Sequence, residues 1–273
     1  MNHHPYLATV IDLVQQAGAS ILPFWRSTIA VQHKADNSPV TAADLAAHQL
    51  LLQGLTQLDP QIPVLSEEGV HLDYKKRQQW QRWWLVDPLD GTKEFIRGSS
   101  EFTVNVALIE RGQVIFGVVG VPAQNTLYYG GKDLGAYKIN NNERPKTICA
   151  RHAPLESISV IASRSHSNPQ QEAILQAISQ RFLQTSVVNT GSSLKFCLLA
   201  QGLADIYPRF VPTSQWDTAA AQGVLEGAGG SIFAAPAQRL AYEAQQSLLN
   251  PSFIAFGQKA PWQQALLQLA EQP

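Results

Sequence analysis

The feature that most constrains this chain is a short apolar run, residues 83–86, that leads directly into two acids, Asp87 and Asp90. Aromatic and aliphatic residues in such a run predict a buried β-strand. Pro88 lacks a backbone donor and Gly91 relaxes the backbone, so we expect the strand pairing to stop there. Two carboxylates at the end of a core strand are costly unless a positive charge compensates them. A metal site is therefore the first hypothesis.

Whole-chain properties exclude several classes of protein. With 273 residues, of which 45% are hydrophobic and 15% charged, the chain is expected to be globular. A formal net charge of -1 and a pI near 6.7 provide no basic surface for nucleic acid or acidic membrane. We find neither a signal-peptide pattern nor an apolar run of membrane-spanning length. We therefore expect a cytoplasmic protein without a transmembrane segment, and leave open a peripheral association with the cytoplasmic face of the inner membrane.

The order of predicted elements divides the chain into two halves. Residues 1–150 are predicted as an α+β half with two helices and an antiparallel sheet, which contains a hairpin of residues 102–109 and 114–121. Thr41 and Asp44 have the spacing of a helix capping box, and residues 75–81 are polar and expected to face solvent. From residue 151 to 273, strands alternate with helices, which predicts a second, α/β sheet.

Several acids lie at predicted strand ends or helix starts: Asp44, Glu67, Glu68, Asp87, Asp90 and Asp217. Taken singly, Asp44 and Asp217 are explained as helix caps, and the two glutamates as a solvated turn. Taken together, they supply the oxygen ligands that Mg²⁺, Mn²⁺ or Ca²⁺ prefer. The histidines are scattered, and Cys149 and Cys197 lack zinc or disulfide spacing, so we expect both cysteines to be reduced and buried.

A phosphate group fits beside such a metal site. Gly91 and Thr92 follow the acids directly and offer backbone N–H groups for a phosphate. Two Mg²⁺ ions roughly 4 Å apart are the usual arrangement for in-line attack on phosphorus. The residues by themselves therefore predict a site that handles phosphate.

Three motifs carry a family resemblance: Glu67-Glu68, Asp87-Pro-Leu-Asp-Gly-Thr92 and Trp216-Asp217. They resemble the signature of the lithium-sensitive, magnesium-dependent phosphomonoesterases, the inositol monophosphatase superfamily. Other segments resemble its bacterial 3'(2'),5'-bisphosphate nucleotidase branch: residues 34–44, 93–95, 163–166, 191–195 and 207–210. One departure is Ser66, where inositol monophosphatases commonly have glycine. The resemblance implies a layered αβαβα sandwich of the sugar-phosphatase type.

The resemblance also implies roles for the acids. A first Mg²⁺ would be held by Glu67, Asp87, Asp90 and the backbone carbonyl of Leu89, and a second would be shared by Asp87, Asp90 and Asp217. Asp44 and Thr92 would orient the attacking water, and Glu68 would support that water or a weaker third Mg²⁺. A hydroxyl whose own proton goes to a carboxylate can accept a proton from water, and bound Mg²⁺ lowers the pKa of that water. No covalent phosphoenzyme is then needed.

Substrate choice is predicted to depend on the second half. Ser192 and Lys195 lie at the head of a predicted helix and Arg209 follows a strand, so the three could hold a distal 5'-phosphate. The alternative is an exposed helix residue at Lys195 and a surface charge at Arg209. Ser163 and His166 are expected to contact the nucleobase or the sugar, and Gly91 and Thr92 to receive the reacting phosphate.

The predicted function is Mg²⁺-dependent hydrolysis of the 3'-phosphate of 3'-phosphoadenosine 5'-phosphate to AMP and phosphate, on the salvage side of sulfate assimilation. The alternatives are inositol monophosphatase or fructose-1,6-bisphosphatase activity, and, from another class, a non-catalytic protein that binds or senses nucleotides. The expected partner is a small nucleotide bisphosphate and not a nucleic acid polymer. The sequence leaves open the oligomeric state and action on the sulfated nucleotide.

Overall fold

The computed structural model of the chain describes residues 4–27, 32–33, 39–69, 73–141, 143–152, 156–162, 169–234, 237–243 and 246–270. The α-helices are α1 Leu7–Ile21, α2 Ala42–Leu58, α3 Tyr74–Arg77, α4 Thr92–Ile96, α5 Pro169–Arg181, α6 Leu194–Ala200, α7 Ala219–Gly227 and α8 Gln263–Ala270. Short 3-10 helices cover Leu22–Phe24, Pro122–Gln124 and Gln215–Asp217. The β-strands are β1 Gln32–His33, β2 Pro39–Val40, β3 Val64–Ser66, β4 Arg82–Asp90, β5 Thr103–Glu110, β6 Gln113–Val121, β7 Thr126–Gly131, β8 Gly135–Asn140, β9 Lys146–Thr147, β10 Ser157–Ala162, β11 Gln184–Asn189, β12 Ile206–Arg209, β13 Ser231–Ala234, β14 Gln238–Arg239 and β15 Phe253–Phe256.

Two large sheets and three layers of helices alternate through the molecule. The first sheet has seven strands in the order β3-β4-β5-β6-β7-β8-β9, and the second has six in the order β11-β10-β12-β15-β13-β14. Helices α1 and α2 cover one face of the first sheet, α6 and α7 lie between the sheets, and α5 and α8 cover the far face of the second. Helices on both faces bury the apolar side of each sheet. This confirms the predicted αβαβα sandwich.

Pairing within the sheets follows the predicted division of the chain. The first sheet is antiparallel except for the parallel pair β3 and β4, and it contains the predicted hairpin of β5 and β6. The second sheet mixes parallel pairs around β10 with antiparallel pairs around β15. The boundary near residue 150 lies between the last strand of one sheet and the first strand of the other. As a domain division it stays a prediction.

Helix α1 corrects one expectation. Residues Leu7–Phe24, with a mean hydropathy of 1.3, form the one segment among the described residues that is long and apolar enough to cross a membrane. Side chains on one face of α1, including Val10, Val14 and Ala17, are fully or almost fully buried. They pack against α2 and the first sheet. The helix therefore serves as a core helix of the fold, where apolar length reflects packing.

The end of β4 differs from the prediction in a way that affects the site. Pairing with β5 does not stop at Pro88: Asp87 pairs with Asn105, the register shifts, and Asp90 pairs with Thr103. The step from Asp87 to Asp90 advances three residues along β4, whereas the matching step from Asn105 to Thr103 advances two along β5. Strand β4 therefore contains one extra residue, which defines a β-bulge. Side chains three residues apart on a regular strand point to opposite faces. The bulge removes that alternation and allows both acids to face the same side.

Helix α7 packs very close to the first sheet. This close packing fixes the position of the N-terminal end of α7. A Cβ added at Gly117 of β6 would lie 1.9 Å from the carbonyl oxygen of Ala220 of α7, and one added at Gly223 would lie 2.6 Å from the backbone nitrogen of Gly117. Only glycine permits this approach of helix and strand backbones. The turn that carries Asp217 immediately precedes α7, so the close packing also sets the place of that acid.

Two smaller predictions about burial are each correct only in part. Cys149 is exposed, because it lies in the segment that leaves the first sheet, whereas Cys197 within α6 is buried as expected. The polar segment 75–81 does not face solvent throughout: Arg77 closes α3 and is only 5% exposed. Polar composition predicts the average exposure of a segment, but the packing around each residue decides individual side chains.

Candidate active site

The predicted functional residues converge on a cavity of about 660 Å³. Its lining includes the acids Glu67, Asp87, Asp90 and Asp217, together with Leu89, Gly91, Thr92, Ser192, Lys195 and Arg209. Glu67 directly follows β3, and Asp87 and Asp90 lie at the end of β4. Asp217 comes from the turn before α7. The cavity therefore lies where the carboxyl ends of two strands of the first sheet meet the second half of the chain.

The two acids of β4 are held by different neighbours. Asp87 is 1% exposed, and its Oδ1 accepts a hydrogen bond from the backbone N–H of Leu89 at 3.0 Å. Asp90 Oδ2 accepts hydrogen bonds from the backbone N–H of Ser193 at 2.7 Å and from its hydroxyl at 2.8 Å. Gly91 follows in the left-handed region at φ 89°, which a non-glycine residue adopts only with strain.

Asp217 combines a structural role with its place on the cavity. It is the third residue of a 3-10 turn, and its Oδ2 accepts a hydrogen bond from the backbone N–H of Ser214 at 2.8 Å in a capping box. Asn250 braces this turn, because its Nδ2 donates to the carbonyl oxygen of Ser214 at 2.7 Å. The alternative of a helix-capping acid is thus partly correct, yet the same residue lines the cavity.

The clustered negative charges perturb one another. Burial, followed by the charges of Glu67, Asp90 and Asp217, raises the pKa of Asp87 well above its usual value. Burial and the charge of Asp90 likewise raise the pKa of Asp217. Like charges in a poorly hydrated place favour protonation unless a cation compensates them. The donor set, carboxylates with one backbone carbonyl, has the chemistry that Mg²⁺ prefers.

The arrangement of the acids does not by itself identify a metal site. Among the residues that the structure describes, no group of three His, Cys, Asp or Glu side chains is arranged so as to hold a metal ion. The ligand roles of Glu67, Asp87, Leu89, Asp90 and Asp217 therefore stay predictions, which the composition of the cavity wall favours.

Thr92 and Asp44 form the pair that was predicted to orient a water molecule. Thr92 Oγ1 lies 3.2 Å from Asp44 Oδ1 and 3.2 Å from the carbonyl oxygen of Leu89. A hydroxyl donates one proton, and the carboxylate is the stronger acceptor. Asp44 Oδ2 is used separately, because it accepts from the backbone N–H of Thr41 at 2.8 Å and from its hydroxyl at 2.6 Å. The predicted capping box is confirmed, and it leaves Oδ1 for Thr92.

The basic residues of the second half are less exposed than surface charges. Lys195, the second residue of α6, is 8% exposed, and its Nζ donates to the carbonyl oxygen of Ser192 at 3.2 Å. Burial lowers the pKa of Lys195, and the charge of Asp90 partly offsets that effect. Arg209 is the last residue of β12 and is half-buried. Its Nε donates to the carbonyl oxygen of Val211 at 3.0 Å. The alternative of an exposed lysine is wrong, and both cations line the cavity.

Four predicted residues are not placed on the cavity wall. Asp44 does not line the cavity itself, although it contacts Thr92, which does. Glu68 is half-buried beside Glu67, but it is not among the residues that line the cavity. Ser163 and His166 lie outside the described residues, so their predicted contact with nucleobase or sugar stays a prediction. The site as described is thus assembled from β3, β4, α4, β12, α6 and the turn before α7.

The cavity also contains residues to which the sequence assigned no role at the site. Lys93, Arg97 and Glu101 line it, together with the aromatic residues Phe196, Tyr207 and Phe253. Glu101 Oε2 accepts a hydrogen bond from the backbone N–H of Gly191 at 3.0 Å, which ties the start of β5 to the loop before α6. Burial raises the pKa of Tyr207 to about 12, so its hydroxyl stays neutral. Sequence alone offers no signal for such long-range pairs.

Comparison with known proteins identifies the family. Residues 2–272 match the model of the Inositol monophosphatase family. The chain therefore belongs to the inositol monophosphatase family, and it is a phosphatase of that family. The resemblance that was inferred from Glu67-Glu68, residues 87–92 and Trp216-Asp217 is confirmed.

Individual relatives lie in the predicted branch of the family. The chain is 46% identical over 251 residues to the 3'(2'),5'-bisphosphate nucleotidase CysQ of Escherichia coli (strain K12), a match that covers 90% of this chain and 98% of the relative. It is 35% identical over 263 residues to the protein of the same name from Haemophilus influenzae, with 95% of each chain covered.

Solved structures support the same fold. The crystal structure of CysQ from Bacteroides thetaiotaomicron, described as a bacterial member of the inositol monophosphatase family, superposes with a TM-score of 0.81 at 36% identity. That match covers 93% of this chain and 97% of the other. The Thermotoga maritima IMPase, at 22% identity and a TM-score of 0.76 over 98% of this chain and 97% of the other, supports the fold alone.

Proposed function

We propose that the chain is a 3'(2'),5'-bisphosphate nucleotidase that uses Mg²⁺ to hydrolyse the 3'-phosphate of 3'-phosphoadenosine 5'-phosphate, which yields AMP and phosphate. The observation that carries this proposal is a single cavity whose wall combines several acids with buried or half-buried cations. Glu67, Asp87 and Asp217 line the cavity, and so do Lys195 and Arg209. The acids suit divalent cations at the reacting phosphate, and Lys195 and Arg209 suit a second phosphate.

The chain's own residues account for most of the chemistry. Bound Mg²⁺ would lower the pKa of a water molecule and offset the charge on the leaving sugar oxygen. Thr92 Oγ1 donates toward Asp44, so the lone pairs of Thr92 remain available to a water on the cavity side. The backbone N–H groups of Gly91 and Thr92, at the start of α4, are offered to the reacting phosphate.

Two alternative functions differ in their predicted behaviour. Inositol monophosphatase or fructose-1,6-bisphosphatase activity would use the same acids. Inositol 1-phosphate has no second phosphate to pair with Lys195 and Arg209, whereas fructose 1,6-bisphosphate has one, so the two bisphosphates are compared directly in the substrate panel below. A non-catalytic sensor would have no use for the Thr92 and Asp44 pair. The names of the curated relatives add support to the nucleotidase proposal.

A substrate panel tests the proposed activity. Phosphate release from 3'-phosphoadenosine 5'-phosphate, inositol 1-phosphate and fructose 1,6-bisphosphate is measured with Mg²⁺ and with the metal chelated. We expect the highest kcat/KM for the nucleotide and loss of turnover upon chelation, because the acids hold the reacting phosphate through cations. A higher kcat/KM for inositol 1-phosphate or fructose 1,6-bisphosphate would refute the proposed substrate. Absence of turnover on all three compounds would favour the non-catalytic nucleotide sensor.

Lys195→Met is expected to reduce kcat/KM for 3'-phosphoadenosine 5'-phosphate by about 30-fold, since one charged hydrogen bond contributes about 2 kcal/mol. Hydrolysis of adenosine 3'-phosphate, which lacks the 5'-phosphate, should change little. Lys138→Met is the matched control, because Lys138 donates to Gln201 and does not line the cavity. Equal losses on both nucleotides would show that Lys195 does not hold the distal phosphate.

A further inference from the structure

Ser193 connects Asp90, at the end of β4, to the turn that carries Asp217. It is 1% exposed and directly precedes α6. Its backbone N–H donates to Asp90 Oδ2 at 2.7 Å, and its hydroxyl lies 2.8 Å from the same oxygen. The hydroxyl also lies 2.7 Å from the backbone carbonyl oxygen of Asp217. One small side chain therefore contacts acids from both halves of the chain.

The hydroxyl of Ser193 is not used to cap its own helix. A serine at this position usually accepts a hydrogen bond from the first unpaired N–H groups of the helix, but Ser193 makes no such bond. Its oxygen instead accepts from Asn105 Nδ2 at 2.9 Å, which leaves the hydroxyl proton for Asp90 or for the carbonyl of Asp217. The hydroxyl proton of Ser193 is therefore available to the Asp90 carboxylate and to the Asp217 backbone, and not to its own helix.

The hydrogen bonds that reach the Asp90 carboxylate from the described part of the chain all converge on one oxygen. Oδ2 accepts from Ser193, and the side chains of Thr103 and Asn105 lie farther from it, at 3.4 and 3.5 Å. The plane of the carboxylate is thereby fixed, and Oδ1 is left to a cation. Groups that orient a metal ligand in this manner typically change metal affinity or activity 10- to 100-fold when removed.

The backbone before Ser193 is built to bring its N–H to Asp90. Ser192 adopts φ 47°, in the left-handed region that non-glycine residues seldom occupy. A Cβ added at Gly191 would lie 3.0 Å from the carbonyl oxygen of Glu101, so the loop passes close to the start of β5. Strain of this kind persists where surrounding contacts fix the conformation, and it is common at functional sites.

We propose that Ser193 is a positioning residue. It orients the Asp90 carboxylate for Mg²⁺ and, through the same hydroxyl, holds the Asp217 turn next to Asp90. The inference rests on the proposed Mg²⁺ site and deepens it. It assigns to Ser193 no contact with substrate or with the reacting atoms. The second half of the chain thus contributes to metal binding through Ser193 as well as through the Asp217 side chain.

The test measures Mg²⁺ binding without substrate, as the rise in melting temperature with Mg²⁺ concentration. For Ser193→Ala we expect the Mg²⁺ midpoint to increase about 10-fold, and kcat at subsaturating Mg²⁺ to fall by a similar factor. Ser193→Cys replaces the hydroxyl with a larger thiol that still donates weakly, and should give a smaller shift in the same direction. Ser179→Ala, an exposed serine on α5, is the control and should leave the midpoint unchanged.

Two other outcomes would overturn the inference, and they separate it from the proposed function. If both Ser193 variants lower the melting temperature equally with and without Mg²⁺ and leave the midpoint unchanged, Ser193 only holds β4 and the Asp217 turn together. If the unaltered protein shows no Mg²⁺-dependent rise at all, the proposed metal site fails and the inference fails with it.

Discussion

Asp90→Asn is expected to lower kcat/KM by at least about 1000-fold, which corresponds to about 4 kcal/mol of transition-state stabilisation. Asp90 is one of the two acids predicted to be shared between both Mg²⁺ ions, so its replacement should weaken both. The amide keeps the size of the side chain and can still accept hydrogen bonds from Ser193, which isolates the loss of charge. Single-turnover phosphate release from the nucleotide, at several Mg²⁺ concentrations, measures the effect.

The same substitution should not destabilise the protein when Mg²⁺ is absent. The charge of Asp90 raises the pKa values of Asp87 and Asp217, so its removal relieves repulsion. We therefore expect a melting temperature without Mg²⁺ that is unchanged or higher, with a smaller rise upon Mg²⁺ addition. Asp133→Asn, at an exposed turn between β7 and β8, is the matched control. Near-normal activity of Asp90→Asn would refute the shared-ligand proposal.

Thr92→Val is expected to reduce kcat by about 1000-fold, within the usual range for a group that transfers or orients a proton. Valine keeps the β-branched shape and the backbone N–H at the start of α4, but it removes the hydroxyl that donates to Asp44. The KM and the Mg²⁺ midpoint should change little, because the ligand acids are untouched. Steady-state kinetics and the Mg²⁺-dependent melting temperature separate these effects.

Thr92→Ser provides the comparison for this prediction. Serine retains the hydroxyl, so most of the activity should return if the hydrogen bond to Asp44 is what matters. A Thr92→Val variant with near-normal kcat would show that the pair does not orient the attacking water. A large increase in the Mg²⁺ midpoint of that variant would instead place Thr92 among the groups that support the cations.

The sequence predicted those parts of the fold and site that depend on neighbours along the chain. The spacing of Thr41 and Asp44 predicted a capping box, the turn at residues 110–112 predicted the β5–β6 hairpin, and Lys195 was expected at the head of a helix. The structure confirms each of them. The family resemblance predicted the αβαβα layers, and the structural neighbours confirm that fold.

Burial of single side chains was predicted less well. Cys149 is exposed and Arg77 is buried, both against expectation, and α1 proved apolar enough to resemble a membrane span although one face packs in the core. Composition and periodicity describe the average environment of a segment, whereas burial depends on what packs against each residue. That information lies in contacts between distant parts of the chain.

The sequence by itself determined which residues are predicted to carry the chemistry, because acid pairs after β-prone runs, glycine and threonine after the acids, and the basic residues of the second half are local signals. Tertiary structure decided how they face one another. The bulge in β4 sets the side to which Asp87 and Asp90 point, and Ser193 joins Asp90 to the Asp217 turn. Residues 90, 193 and 217 meet only when the two sheets pack against α6 and α7, and long-range packing of this kind leaves no periodic pattern in a single sequence.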